Sequence, residues 1–453
     1  MPFTQNKELI MQANTNQVKR AYLYLLVAVL LSATSIAAQE RTPLEKFIDG
    51  FPMELEKQTR AASYDELFKG GDVSAYFNVR VAEFMNTAVL PSRQPVLPLG
   101  HRPMPEVGLV KAEMMSESEL EGTLTLDQFM AQSDFTQAYL VVHKGDIVYE
   151  AYPRIRREEA HLWMSSAKPM ASLIVDMLIS EGKINEDKPI TKYLTDWKGT
   201  DWDRITTRDV LDMATGMDLL DTADTRFDPN NIATRVYRAE LNFPNPKTGK
   251  VELLADVLKS TKAKEKPGLA FGYSSGLTQV LVLLAEAVEG ERWHQMFDQR
   301  VWSKVGAEGA LQLHLTPDGI AAAHGLVSSN LRDFARFGML YTPSWNKIAV
   351  EQVVSDEILI RTKNGARSHD FMMKSPHGKT FIDYLGSDDF IGASRQWDLV
   401  WPDGDLWKGG LMTQGLYVSP SRDLVIVYFS VNNDDHSAHR FARQIAISGL
   451  FDK

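Results

Sequence analysis

The sequence predicts an α+β fold in which strands from both ends of the domain form one antiparallel sheet, flanked by helices and joined to a mostly helical subdomain. Two pairs of strand-like segments carry this prediction. QAYLVVH and DIVYEAY flank Lys144-Gly145, and GLYVSP and LVIVYFSV flank residues 421–423. Each pair is rich in β-branched and aromatic residues around a short polar turn, which is typical of a hairpin. Between the pairs, helical patterns dominate.

The first 38 residues have the pattern of a secretory signal peptide. Residues 1–20 end in Lys19-Arg20, an apolar run follows over residues 21–31, and the small-residue stretch SATSIAA comes next. The run is too short to cross a hydrocarbon layer of roughly 30 Å comfortably. We therefore expect cleavage after Ala37 or Ala38 and a bacterial protein that is periplasmic or secreted, with a retained anchor as the alternative.

Residues 39–123 are predicted to form an N-terminal extension, because polar helical stretches alternate there with the proline-rich passage PSRQPVLPLGHRPMPEVG. We expect an extended strap without catalytic residues. The main domain is predicted over residues 124–453. Within it, the irregular stretches near 217–250 and 342–402 are expected to be surface loops, where substrate selectivity often resides.

Composition excludes several classes of function. The chain contains no cysteine, which excludes disulfides, thiol nucleophiles and thiolate zinc sites. Its net charge of −10 gives no support to nucleic-acid binding. The sequence contains no His-Glu-x-x-His zinc motif. His436 and His439 are predicted to lie on a solvated face of the last helix. We expect no metal or cofactor and a small-molecule substrate, while oligomeric state stays open.

The strongest chemical signal is Ser165 with Lys168 at the start of an amphipathic helix that ends near Gly182. A spacing of three places both side chains on one helical face. A lysine desolvated by apolar neighbours can remove the serine proton, and the N–H groups of the first turn can stabilise a developing oxyanion. Pro169 fits a first turn. By itself, Ser-x-x-Lys is a weak signal, because chance supplies it in most chains of this size and a helix cap beside a solvated lysine is the more frequent explanation.

The order of several segments resembles a known superfamily. A hairpin is followed by WMSSAK, then EGKINEDKPITKYL, then ITTRDVLDMATGM. This order resembles the serine β-lactamase and penicillin-binding protein superfamily, and within it the class C-related branch of esterases, D-aminopeptidases and 6-aminohexanoate-dimer hydrolases. The resemblance extends from about Leu124 to the C-terminus. It implies a β-lactamase/transpeptidase-like fold and an acyl-enzyme on Ser165.

FGYSSGLTQ is similar to the family's tyrosine motif. The resemblance implies that Tyr273 is the general acid and base and that Ser275 takes the position usually held by asparagine. A phenol between two cationic lysines should have a depressed pKa. The alternative is a core or turn tyrosine ahead of a helix that starts near Ser275.

WKGGLMTQGLYV is similar to the family's third motif, which lines the site on a strand. The resemblance implies that Lys408, Gly409 and Gly410 contact substrate, and that the N–H of Leu411 completes an oxyanion hole with that of Ser165. A β-bulge or turn would explain the glycine pair equally well. In HGLVSSNLRDF, Ser329 or Asn330 is predicted to cap a helix that Gly338 interrupts.

Two departures from the family pattern argue against β-lactam hydrolysis. Ser275 removes an amide that holds the substrate's carbonyl group in the family, and Gly409 removes a hydroxyl that contacts its carboxylate. The predicted function is therefore an exported serine hydrolase of small amides or esters. A D-aminopeptidase, a penicillin-binding carboxypeptidase or a weak β-lactamase is the alternative. A non-catalytic binding or sensor protein on the same scaffold is the alternative of another class.

Overall fold

The computed structural model describes residues 50–116 and 118–452. The predicted signal peptide lies outside these residues. The strands are β1 Asn86–Leu90, β2 Gly100–His101, β3 Lys111–Glu113, β4 Thr123–Thr125, β5 Thr136–His143, β6 Asp146–Ala151, β7 His161–Leu162, β8 Leu311–Leu315, β9 Val327–Ser329, β10 Gly392–Ser394, β11 Trp397–Val400, β12 Leu406–Gly410, β13 Gln414–Ser419 and β14 Leu424–Ser430.

The α-helices are α1 Met53–Ala61, α2 Tyr64–Leu67, α3 Gly71–Arg80, α4 Pro105–Gly108, α5 Leu126–Gln132, α6 Pro169–Ser180, α7 Thr207–Leu211, α8 Ala223–Phe227, α9 Ile232–Glu240, α10 Leu254–Lys259, α11 Ser275–Glu289, α12 Trp293–Arg300, α13 Leu331–Met339, α14 Asp356–Asn364, α15 His369–Met373, α16 Pro376–Leu385 and α17 Ser437–Ala446. Short 3-10 segments are Val81–Glu83, Met164–Ala167, Ile190–Lys192, Thr195–Trp197, Asp201–Arg204, Trp302–Lys304 and Pro343–Lys347.

The main sheet has eight strands in the order β10-β11-β12-β13-β14-β5-β6-β2. The predicted hairpins β5-β6 and β13-β14 meet at its centre, where β14 and β5 pair antiparallel. Every residue of β5 and β14 is buried, because helices cover the sheet. The predicted α+β fold, with a sheet assembled from both ends of the domain, is therefore confirmed.

Helix α13 packs against the centre of the sheet. Asn330 caps it by accepting a hydrogen bond from the N–H of Asp333 at 2.8 Å. Gly338 lies inside this helix, so the predicted interruption is wrong. A Cβ atom at Gly338 would lie 2.7 Å from a methyl group of Val425 and 2.9 Å from one of Leu416, and the glycine therefore permits close contact between helix and sheet.

Residues 50–122 belong to the same compact unit as the rest of the described chain. Strand β1 pairs with β8, and β2 pairs with β6 in parallel. Helices α1 to α3 precede these strands and lie before the proline-rich passage that was predicted to form the strap. The stretches expected to be loops also contain helices: α8 and α9 lie in residues 217–250, and α14 to α16 lie in 342–402.

Candidate active site

Ser165 lies in the turn Met164–Ala167, immediately before α6. The preceding residue, Met164, has φ of +49°, a left-handed conformation that is uncommon for a residue with a side chain. Backbone strain of this kind persists only where the surrounding structure fixes it, and it is frequent at active sites. Ser165 is half-buried, and its neighbour Ser166 donates a hydrogen bond to the carbonyl oxygen of Lys408 at 3.1 Å.

Lys168 has an exposed fraction of 0% and contacts three oxygen atoms. Its Nζ lies 3.1 Å from Ser165 Oγ, 2.9 Å from Ser275 Oγ and 2.9 Å from the carbonyl oxygen of His324. Burial first, and repulsion by Lys408 second, hold the pKa of Lys168 well below its usual value. A neutral amine has two N–H groups and a free electron pair, so one of these two hydroxyls can donate its proton to Lys168.

Tyr273 is also buried and lies beside both lysines. Its ring centre is 5.3 Å from Lys168 Nζ and 4.5 Å from Lys408 Nζ. Burial, with the negative charges of Asp398 and Asp221, raises the pKa of Tyr273 well above its usual value, although a hydrogen bond with the Ser165 side chain opposes this. The predicted depression of this pKa is therefore wrong. The raised pKa favours the protonated form of the phenol.

Ser275 begins α11, as predicted, and its hydroxyl is part of a buried polar network. Ser275 Oγ lies 2.7 Å from the Tyr237 hydroxyl and 3.0 Å from Asp221 Oδ2. Asp221 also forms an ion pair with Arg226 at 3.0 Å. In this structure the Ser275 hydroxyl fixes the position of Lys168, while its predicted contact with substrate stays a prediction.

Lys408, Gly409 and Gly410 lie on β12, next to the Ser165 turn. A Cβ atom at Gly410 would lie 3.0 Å from the carbonyl oxygen of Trp163, so a side chain there would separate the strand from the turn. Lys408 is fully buried and forms an ion pair with Asp398 on β11, whose second oxygen accepts a 3.2 Å hydrogen bond from the N–H of Gly409. The sequence analysis did not identify Asp398, although a carboxylate within the apolar strand WDLV was a visible signal.

Ser165 lines a partly enclosed cavity that opens to solvent. Its lining includes Ser275 and Leu411, two of the predicted site residues. Ser165 and Leu411 line the same cavity, and the oxyanion hole expected from their backbone N–H groups stays a prediction. The remaining lining residues are Tyr64, Phe68, Met164, Arg226, Tyr237, Glu240, Leu241, His324, Gly325 and Leu326.

Several of these lining residues were missed by the sequence analysis. Arg226 and Tyr237 lie in the stretch 217–250, which was expected to be a loop. Glu240, at the end of α9, contacts His324 Nε2 through Oε2 at 2.8 Å. Tyr64 belongs to the N-terminal extension, which was expected to contain no catalytic residues. Its side chain nevertheless lines the same cavity as Ser165.

No group of three or more potential metal ligands occurs in residues 50–116 and 118–452. The histidine prediction for the last helix is wrong in one respect. His439 is buried, with an exposed fraction of 1%, and its Nδ1 lies 2.7 Å from the hydroxyl of Tyr428. It packs between the helix and the sheet. No helix among the described residues is long and apolar enough to cross a membrane.

Comparison with known proteins agrees with the fold. The Beta-lactamase family model matches residues 125–449. A 6-aminohexanoate-dimer hydrolase from Paenarthrobacter ureafaciens is 24% identical over 375 residues, covering 81% of this chain and 88% of that protein. The chain therefore belongs to the Beta-lactamase family, and it is a serine hydrolase of the amidase and esterase type.

Two solved structures show the same fold. A Bacillus anthracis protein assigned as a 6-aminohexanoate-dimer hydrolase has a TM-score of 0.70 at 22% identity, covering 85% of this chain and 97% of its own. A class C β-lactamase has a TM-score of 0.51 at 14% identity, covering 72% and 94%. The family match begins at residue 125, so the segment containing Tyr64 and Phe68 lies outside it.

Proposed function

We propose that this protein is an exported hydrolase that cleaves small amides or esters through an acyl-enzyme on Ser165. The observation that carries the proposal is the fully buried Lys168 amine, 3.1 Å from Ser165 Oγ and with a strongly lowered pKa. A neutral amine at this distance can act as the general base for the serine. The signal-peptide pattern supports export.

Acylation begins when Ser165 Oγ attacks the substrate carbonyl carbon and its proton passes to Lys168. The N–H groups of Ser165 and Leu411 stabilise the negative charge on the carbonyl oxygen. As the tetrahedral intermediate collapses, Tyr273 donates its proton to the leaving amine or alcohol and recovers a proton from Lys168. Water then attacks the acyl-enzyme, losing its proton to the same pair, and Ser165 is released with the acid.

Lys408 is less suited to binding a substrate carboxylate, because Asp398 already compensates its charge. This pairing, together with Ser275 and Gly409, favours amides and esters over β-lactams. Because a relative is a 6-aminohexanoate-dimer hydrolase from P. ureafaciens, linear amides of aminohexanoate are one class of substrate to test.

The proposal is tested by labelling the purified protein with a fluorophosphonate probe. We expect wild-type protein to be labelled and Ser165→Ala to lose all labelling. Ser166→Ala is the matched control, because this neighbouring hydroxyl is directed to the Lys408 carbonyl oxygen and should not affect labelling. Labelling that persists in Ser165→Ala would overturn the assignment.

A substrate panel then separates the alternatives. It consists of p-nitrophenyl esters, D-amino-acid amides, linear amide oligomers and a chromogenic cephalosporin. We expect Ser165-dependent turnover of the esters or linear amides and little turnover of the cephalosporin. A single burst of product per protein molecule would instead identify a sensor that acylates without turnover.

A further inference from the structure

The cavity beside Ser165 has one wall that comes from outside the family-matched domain. Tyr64, the first residue of α2, and Phe68, just after this helix, both line the cavity. Both side chains are at least nine-tenths buried. The Tyr64 ring packs against those of Phe68, Phe227, Tyr237 and Phe243, with centre-to-centre distances from 5.5 to 6.3 Å. We call Tyr64 and Phe68 the aromatic wall.

Hydrogen bonds hold this wall against the catalytic domain. The carbonyl oxygen of Phe68 accepts a hydrogen bond from Asn433 Nδ2 at 2.5 Å. The N–H of Gly71 donates to the carbonyl oxygen of Val431 at 3.1 Å. The N–H of Met412, next to the cavity residue Leu411, donates to Asn433 Oδ1 at 2.8 Å. Asn433 therefore connects the aromatic wall to the strand end that carries the predicted oxyanion hole.

Most polar groups of the cavity have protein partners, whereas Glu240 Oε1 is buried without a hydrogen-bond partner among the described residues. Arg226 pairs with Asp221, Tyr237 bonds to Ser275, and Glu240 bonds to His324 through one carboxylate oxygen. The other side chains that line it, apart from Ser165, are apolar or aromatic: Tyr64, Phe68, Met164, Leu241, Leu326 and Leu411. An apolar group that fills this space gains free energy by leaving water.

We infer that the aromatic wall determines substrate specificity by packing against an apolar acyl chain. The inference rests on the proposed acyl-enzyme at Ser165. The acyl side is favoured because neither Tyr273 nor Lys408 lines this cavity. Tyr273 is the group that protonates the leaving amine or alcohol, so the leaving group is placed on the side of Ser165 that faces Tyr273.

The test uses p-nitrophenyl esters of acetate, butyrate, hexanoate and octanoate. Tyr64→Ala enlarges the cavity, and we expect the ratio of kcat/KM for octanoate to that for butyrate to rise about 10-fold. Tyr64→Trp reduces the space, and the same ratio should fall about 10-fold. An unchanged ratio, or a change of the same sign in both variants, would overturn the inference. Tyr64→Leu replaces Tyr64→Ala if that variant does not fold.

Two controls complete the experiment. Phe84→Leu alters an aromatic residue of the same extension that packs on Tyr76 and Phe77 and does not line the cavity, and it should leave the ratio unchanged. A series of acetate esters with different alcohols should be unaffected by Tyr64 variants. A change in either control would overturn the acyl-chain assignment. Failure of the proposed acyl-enzyme is distinguishable from failure of this inference. In the first case, Ser165→Ala would hydrolyse every ester of the series at the wild-type rate.

Discussion

Two lysines near Tyr273 are equally buried but have different partners. Lys168 and Lys408 each have an exposed fraction of 0%, and each lies within 5.3 Å of the tyrosine ring centre. Lys408 forms an ion pair with Asp398, whereas the hydrogen-bond partners of Lys168 are two hydroxyls and a carbonyl oxygen.

The difference explains how one site can hold a base and a cation together. Burial lowers the pKa of both lysines, but Asp398 opposes the shift at Lys408 directly. At Lys168, the neighbouring charge of Lys408 adds to the effect of burial. Asp398 therefore favours the charged form of Lys408, and the charge on Lys408 disfavours a second charge on Lys168.

The largest effect is expected for replacement of Lys168. Lys168→Ala should lower kcat by at least about 10²-fold, the scale of a lost general base. Lys168→Arg should lower kcat by as much, because a guanidinium keeps the positive charge but does not accept the proton of Ser165. Steady-state hydrolysis of a p-nitrophenyl ester measures both variants, with the exposed Lys183→Ala as control. Near-wild-type activity in Lys168→Arg would show that charge, not basicity, is required.

Tyr273→Phe tests the group between the two lysines. We expect kcat for an amide substrate to fall by about 10²-fold, because the leaving amine needs a proton from the phenol. The loss should be smaller for a p-nitrophenyl ester, since nitrophenolate leaves without protonation. Parallel assays with both substrates measure the difference. Equal losses would contradict the donor role that the raised pKa of Tyr273 supports.

Asp398→Asn tests how much the ion pair between Asp398 and Lys408 contributes to stability. Removing one partner of a buried ion pair leaves an uncompensated charge, which costs about 3–5 kcal/mol. Urea unfolding should therefore show a lower free energy of unfolding for Asp398→Asn. In the double variant Asp398→Asn, Lys408→Met we expect much of that loss to be recovered. A single variant as stable as wild type would show that Lys408 does not depend on Asp398.

The sequence predicted the parts of the site that are local. Ser165 and Lys168 are three residues apart at the start of a helix, so their proximity follows from helical geometry alone. The hairpins and the start of α11 at Ser275 were likewise predicted, because strong periodic patterns specify them. The start of α6 brings the proposed nucleophile and the proposed base together.

The partners that set the pKa values could not be predicted, because they come from distant parts of the chain. Asp398 lies ten residues from Lys408 across a strand pair, and Asp221 reaches Ser275 from a stretch expected to be a loop. That stretch was misjudged because α8, Ala223–Phe227, has only five residues, which is too short to show a helical period. The predicted direction of the Tyr273 pKa shift was wrong because burial and two carboxylates from distant parts of the chain, Asp398 and Asp221, raise this pKa.

The central claim, that Lys168 is a neutral base, is tested most directly by the pH dependence of fluorophosphonate labelling at Ser165. Protonated Lys168 cannot accept the serine proton, so the labelling rate should rise with pH through the lowered pKa and level off well below the ordinary lysine value. The raised pKa of Tyr273 should keep this plateau into alkaline solution. A rate that keeps rising toward the ordinary lysine value of about 10.4, or a rate independent of pH, would contradict the account.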